Sequence, residues 1–430
     1  MKKIVAGFVT LTVAAWLLNL AVNPPAVNVK ALVHETLYLS GLLAWGFATM
    51  AVVIAARPAW LEGITGTPLD KLYKWHKTLG IAAAVLTVLH FFSKDIFGPL
   101  VRLITTAPSP KPAAAELTGF AAFWADLRGF AETSAEIAVY AGLVLLAVTF
   151  LSRLRYSGWL STHRLFSVIY LVLAVHAVRL TDAADWATPF GFINAAVTLT
   201  GVWYSIELLV FGAGRAKSVA GSVTRVGHHE GLSEITVLPA RPMTVHRGQF
   251  AFLRTKGHEK HPFSIASVND DGSVTFVVKG LGDYTREAVP AIRVGESVIL
   301  EGPWGDFRPD FSKDEQLWLA GGAGIAPFCA WLQEAARHAH GAIRLVWCIR
   351  SRETEPMLEN VRRLAREAGV TLEVVESQKK RLDVGRLFAG AVPQTLALCA
   401  GTGLSAAVSK AYVAAGGSER GIRREHFDWR

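Results

Sequence analysis

The sequence predicts a multi-domain chain: an all-α bundle of six transmembrane helices, then an antiparallel β-barrel, then an α/β unit on a parallel sheet. Three observations carry that prediction. Residues up to about 212 contain long uncharged apolar runs of the length a bilayer core requires. From about 218 the pattern shortens to strands such as SEITVLPA and SVTFVVKG, separated by Gly, Asn and Asp, as in a small antiparallel barrel. From about 316 strands alternate with a glycine turn and helices, beginning with QLWLAGGAGIAPFCAWLQEAARHA, the rhythm of a parallel sheet with crossover helices. The expected domains are 1–212, 213–312 and 313–430.

Residues 4–22 follow Met-Lys-Lys without a charge. The run is longer than the apolar region of a signal peptide and no small-x-small cleavage site follows, so a membrane helix is expected. The further spans are 36–56, 76–97, 137–152, 163–180 and 189–211, with Pro24-Pro25, Pro58 and the Pro108/Pro110/Pro112 cluster in the connections. Lys2, Lys3, Arg57, Lys71, Lys74, Lys77, Arg153, Arg155, Arg164, Arg215 and Lys217 gather on one side. On the other side Lys94, Arg102, Lys111, Arg128 and Arg179 are diluted by acidic residues. The positive-inside rule then places both termini in the cytoplasm, and the expected location is the plasma (inner) membrane. The net charge of +9 is largely this flanking charge, and a nucleic-acid partner is not expected. The longest connection, 98–135, lies outside; within it FAAFWADLRGFAE is expected to form a helix of its own. His34 and Glu35 at the outer start of the second span read as a polar helix end.

Four histidines lie in the apolar half, in two pairs: His76 and His90, then His163 and His176. Fourteen residues of helix rise roughly 21 Å, at about 1.5 Å per residue, or two-thirds of a bilayer core of roughly 30 Å. Two helices carrying such pairs can hold two stacked metal cofactors, one near each face, each bound by one histidine from each helix. Neutral imidazole is an axial ligand of haem iron. The topology pairs His76 with His163 at the inner level and His90 with His176 at the outer. At about 100° per residue the fourteen-residue step returns to within about 40° of one face, but the thirteen-residue step misses by about 140°. The second helix must be tilted, bent or re-wound, or its histidines must reach around it.

In the second half all three cysteines, Cys329, Cys348 and Cys399, stand without a disulfide framework, and no CxxCH is present for covalent haem attachment; a reducing cytosolic setting fits. LAGGAGIAPF is a strand entering a glycine turn and a helix. There Gly321, Gly322 and Gly324 are expected to permit positive φ and let backbone N–H groups approach a pyrophosphate. HPFSIAS is placed at the end of a barrel strand, with GQF before it and GDYT after it. Ser264 can donate to a ring there, and Gly282 and Thr285 can open a short helix toward phosphate.

HPFS, GDYT, GPWG, GGAGIAP, a late Cys-containing strand and a terminal ExF together resemble the ferredoxin–NADP reductase type of flavoprotein module. Six spans with H-x13-H and H-x12-H helices before that module resemble the transmembrane ferric reductase and NADPH oxidase superfamily. The resemblance implies FAD at His261, Pro262, Phe263 and Ser264, with its diphosphate at Gly282, Asp283, Tyr284 and Thr285. It implies a pyridine-nucleotide pyrophosphate turn at Gly321, Gly322, Gly324 and Pro327, Cys399 near the nicotinamide, and Phe427 covering the flavin. The late motif departs from the commoner Cys-Gly-Pro by reading CAGTG, and Trp429 follows Phe427 as a second aromatic. Arg350 and Arg352 follow the second parallel strand, where a 2′-phosphate would lie, and favour NADPH; an acidic residue there would favour NADH. The implied cofactors are FAD, NADPH and two haem b. The implied activity is that of a membrane-bound NAD(P)H oxidoreductase, acting on dioxygen or a ferric chelate outside. The competing reading is a haem-b electron-donor subunit feeding a periplasmic partner protein. Such a subunit needs no nucleotide module, so these motifs argue that no protein partner is required.

Overall fold

The computed structural model describes residues 1–25, 28–104, 119–151, 156–229, 231–280 and 282–425. Phe427 and Trp429, Arg153 and Arg155, and the Pro108/Pro110/Pro112 stretch with Lys111 lie outside the described residues. The chain forms two compact units, Met1–Thr67 with Lys71–Ala216, and Pro68–Asp70 with Lys217–Arg430.

The first unit is helical: α1 (Lys2–Val22), α2 (Val29–Ala56), the short α3 (Leu61–Thr65), α4 (Leu69–Ile104), α5 (Gly119–Leu151), α6 (Tyr156–Leu180) and α7 (Pro189–Val210). Among the described residues, six of these helices are long and apolar enough to cross a membrane, and the protein is a multi-pass membrane protein. Large apolar side chains face outward, including Leu11, Leu89, Phe150, Leu199 and Trp203, as a lipid solvent permits. Between helices the contacts are small residues and hydrogen bonds, the usual glue where lipid removes a hydrophobic drive. Asn19 Nδ2 donates to Asp185 Oδ1 at 3.0 Å, Trp45 Nε1 to Thr198 Oγ1 at 2.8 Å, and Asn194 Nδ2 to Thr181 Oγ1 at 2.8 Å. Gly201 leaves room for the Tyr170 ring, which a Cβ would strike. Trp45 stacks on that same ring at 4.0 Å.

Helix starts follow from local chemistry. Asn28 caps α2 by accepting from the Ala31 N–H at 2.8 Å, and Thr188 caps α7, whose first residue is Pro189. FAAFWADLRGFAE is helical as expected, but not as a helix of its own. Its residues are the first turns of α5, which runs unbroken to Leu151, because no proline or cap interrupts the apolar spacing between that stretch and 137.

The second unit begins with a closed barrel of six antiparallel strands: β1 (Ser218–His229), β2 (Leu232–Pro239), β3 (Phe250–Arg254), β4 (His261–Val268), β5 (Val274–Lys279) and β6 (Ser297–Trp304), in the order β1-β2-β5-β4-β3-β6. Ile235, Ala251, Ile265, Phe276 and Leu300 fill it. HPFSIAS is thus not the end of a neighbouring strand but the body of β4, paired with β3 at Phe250↔Ser264. Its alternation was masked by Pro262. Between β5 and β6 a turn at Tyr284–Ala288 runs into α8 (Val289–Ala291).

The remainder alternates strand and helix: β7 (Glu315–Gly321), α9 (Ala326–Ala335), β8 (Ala342–Ile349), α10 (Leu358–Glu367), β9 (Thr371–Glu376), β10 (Thr395–Cys399), α11 (Thr402–Ala414) and β11 (Ile422–Arg424). The strands form a parallel sheet in the order β11-β10-β7-β8-β9. Trp318, Trp347, Phe328 and Trp331 are buried beneath it. The chain leaves β7 toward β8 and β9, then returns to the other side of β7 as β10. The strand order therefore reverses between β7 and β10, and open α/β sheets bind ligands outside the carboxyl ends of strands at such a point.

Candidate functional site

In the membrane unit, α4 and α6 bring the four histidines together as two pairs. The rings of His76 and His163 lie 5.9 Å apart at 66°, and those of His90 and His176 lie 6.3 Å apart at 84°. Two imidazoles on opposite sides of one metal, with bonds of about 2 Å, hold their ring centres about 6 Å apart. The spacing fits a shared axial metal at both levels.

The other ring nitrogen of each histidine has a hydrogen-bond partner. His76 Nδ1 lies 2.9 Å from the Ala51 carbonyl, His90 Nδ1 3.1 Å from that of Leu37, and His176 Nδ1 3.4 Å from that of Ala131. A carbonyl only accepts, so Nδ1 carries the proton in all three. His163 Nδ1 is 3.5 Å from Thr149 Oγ1, whose own proton goes to the Leu145 carbonyl at 2.7 Å; the ring donates there as well. Proton on Nδ1 leaves Nε2 as the metal-binding nitrogen, and such orienting bonds commonly accompany metal-ligating histidines. No cluster of three or more His, Cys, Asp or Glu suited to a metal occurs among the described residues. Haem differs in needing only axial ligands from the protein. The residues fit that group.

On α6 the two histidines stand thirteen residues apart. The helix is α-helical throughout Tyr156–Leu180, so it is not re-wound. Both of its histidines reach toward α5, His163 to Thr149 and His176 to Ala131. His163 is held further by stacking on Trp159 at 5.0 Å. On α2, a Cβ at Gly41 would lie 3.1 Å from Cε1 and 3.2 Å from Nδ1 of His90. That helix orients one histidine at each level, a role that its sequence alone did not reveal.

In the second unit, β4 opens with His261, whose ring stacks on Tyr284 at 3.9 Å, with Phe263 parallel to the same tyrosine at 6.4 Å. Ser264 is buried. Burial pushes the His261 imidazole below its ordinary pKa, against the opposing charge of Glu259. After Gly282-Asp283 the chain turns into the Tyr284–Ala291 helical segment, where Thr285 Oγ1 accepts the Gly282 N–H at 2.9 Å. A Cβ at Gly282 would meet nothing within 4 Å. An open helix start beside an aromatic strand fits a flavin and its diphosphate.

At the sheet's switch point, β7 ends in Gly321 and β10 in Cys399. Of the three turn glycines only Gly322 has positive φ, +53°. The other two are required by proximity. A Cβ on Gly321 would lie 2.9 Å from that of Ala400, and one on Gly324 would strike the Cys399 carbonyl. Pro327 sits in the first turn of α9 and is buried there. Cys399 Sγ donates to Glu425 Oε2 at 3.9 Å. Burial raises both groups well above their ordinary pKa, and for the thiol the Glu425 carboxylate adds to it. Past β8, Arg350 is exposed. Arg352 is bound to Glu376 at the end of β9, Nε to Oε1, at 3.1 Å. That acidic neighbour lies 24 residues away in sequence and was not anticipated.

Residues 40–174 match the family described as ferric reductase like transmembrane component; the match holds three of the four histidines and stops two residues before His176. Respiratory burst oxidase homolog protein E of Arabidopsis thaliana is 24% identical over 318 residues, 62% of this chain and 32% of that protein. Ferric reductase transmembrane component 3 of Saccharomyces cerevisiae is 22% identical over 306 residues, 66% of this chain and 38% of that protein. The toluate 1,2-dioxygenase electron transfer component of Pseudomonas putida is 37% identical over 92 residues, 21% of this chain and 27% of that protein. The chain thus spans less than two-fifths of the length of each of these relatives. It resembles the transmembrane ferric reductase and NADPH oxidase superfamily.

Proposed function

We propose that this chain carries electrons across the plasma (inner) membrane, from cytosolic NADPH to an extracytoplasmic dioxygen or ferric chelate. Both termini face the cytoplasm in this reading. The observation that carries it is the pair of facing histidines at each of two levels, every Nδ1 engaged, in a chain that continues into a reductase-type unit. Bound FAD supplies the exchange between hydride and single electrons, and two b haems supply a path through the bilayer.

His76 and His163 would hold the inner haem, and His90 and His176 the outer. With two histidines committed at each level, the acceptor would be met at the outer edge of the site. Ala51, Leu37, Ala131 and Thr149 fix the ring tautomers. Ser264 donates to the flavin ring, while His261, Pro262 and Phe263 line it. Gly282, Asp283, Tyr284 and Thr285 present the helix start to its diphosphate. Gly321, Gly322, Gly324 and Pro327 would admit the nucleotide pyrophosphate at the reversal between β7 and β10, with Cys399 near the nicotinamide. Arg350 and Arg352 read the 2′-phosphate. By resemblance Phe427, outside the described residues, would cover the flavin.

The names of the relatives, respiratory burst oxidase and ferric reductase, support both acceptors equally. The test is haem stoichiometry. A pyridine haemochromogen assay on the purified chain gives about two haems, since four axial ligands divide into two pairs. His90→Ala or His176→Ala lowers the count. A full complement in both variants would remove the basis of this reading.

A further inference from the structure

Arg352 lies in the turn after β8, and Glu376 closes β9, the neighbouring parallel strand, at Ile349↔Glu376. Three donors converge on this one carboxylate. Arg352 gives its Nε at 3.1 Å and its backbone N–H at 3.2 Å, and Lys379 Nζ approaches to 3.2 Å. The guanidinium is anchored a second time, by NH2 to the Val374 carbonyl at 3.1 Å. Glu376 is largely buried, at 10% exposure, whereas Arg352 is 47% exposed. The carboxylate is therefore a fixed feature of the sheet end and the arginine the accessible partner. Arg350, two residues before, is exposed and lies on the same turn.

We propose that Glu376 is a positioning residue that sets nucleotide preference by holding Arg352 away from an incoming 2′-phosphate. The inference rests on the reading of Arg350 and Arg352 as the phosphate readers and adds what opposes them. A 2′-phosphate can form charge-assisted bonds to Arg352 only in competition with a carboxylate that already holds it. Part of the gain from those bonds is spent in releasing the arginine, while NADH, lacking the phosphate, leaves the pair closed. The carboxylate at this sheet end thus reduces discrimination against NADH.

The experiment compares kcat/KM for NADPH and NADH in the full-length enzyme, in wild type, Glu376→Gln, Arg352→Ala and the double variant. The expected result is an NADPH-to-NADH ratio about fivefold higher in Glu376→Gln, the scale of releasing a half-exposed ion pair. The change falls on KM for NADPH. In the Arg352→Ala background the Gln substitution has no further effect on the ratio, as a residue acting through Arg352 requires. Glu376→Asp, which keeps the charge one methylene further back, gives an intermediate ratio and serves where the Gln variant does not fold. If Arg352→Ala lowers the ratio but neither Glu376 variant raises it, the proposal is wrong and the phosphate reading stands. If Arg352→Ala leaves the ratio unchanged, the phosphate reading fails and takes this inference with it.

Discussion

Single glycines decide how closely the working parts approach. Gly324 is pressed against the Cys399 carbonyl, so Gly324→Ala must move one strand end. Overpacking of this kind costs about 1–3 kcal/mol, and thermal unfolding of the reductase unit should occur earlier, with a higher KM for nucleotide. Gly401→Ala is the control, since a Cβ there meets nothing within 4 Å. Gly41→Ala forces the His90 ring to yield, and redox titration should show the potential of one haem shifting while the other holds. Gly80→Ala, on α4 with nothing within 4 Å of its Cβ, should leave both. The four histidines could be paired from spacing and topology because a helix converts sequence separation into height. Their acceptors could not, since Ala51, Leu37 and Ala131 contribute carbonyls, which every residue has. The turn glycines were legible as a turn, but positive φ explains only Gly322; the other two answer to neighbours from β10, absent from any local reading.

Among the elements, β11 is expected to dock in a pH-dependent way. It pairs with β10, and the next residue, Glu425, donates its backbone N–H to the Leu398 carbonyl at 3.0 Å. Burial raises the Glu425 pKa well above the ordinary carboxylate value. The folded state then binds that proton more tightly than the unfolded state, and stability falls as pH rises from the unfolded pKa, about 4.3, through the folded one. Limited proteolysis at the C-terminus should show protection declining as pH rises above about 5, and Glu425→Gln should flatten that decline. An unchanged slope in the Gln variant would mean that another group titrates. Element types were legible wherever an apolar period was long. The boundaries differed at β4, where Pro262 interrupts the alternation, and at α5, whose first turns were read as part of a connection.

At the scale of the molecule, the order of membrane bundle, barrel and parallel sheet was readable because each has its own hydrophobic period. What sequence could not supply was adjacency between distant segments, as in Arg352 beside Glu376 or the reversal of strand order between β7 and β10. The central claim is that one chain joins a nucleotide-reducible flavin to a pair of membrane haems. The direct test is the visible spectrum of the purified full-length protein, under anaerobic conditions, before and after NADPH. The account predicts that the flavin absorbance bleaches and that both haems then pass to their reduced spectra without any added protein. Flavin that bleaches beside haems that stay oxidised, yet are reduced by dithionite, would contradict it.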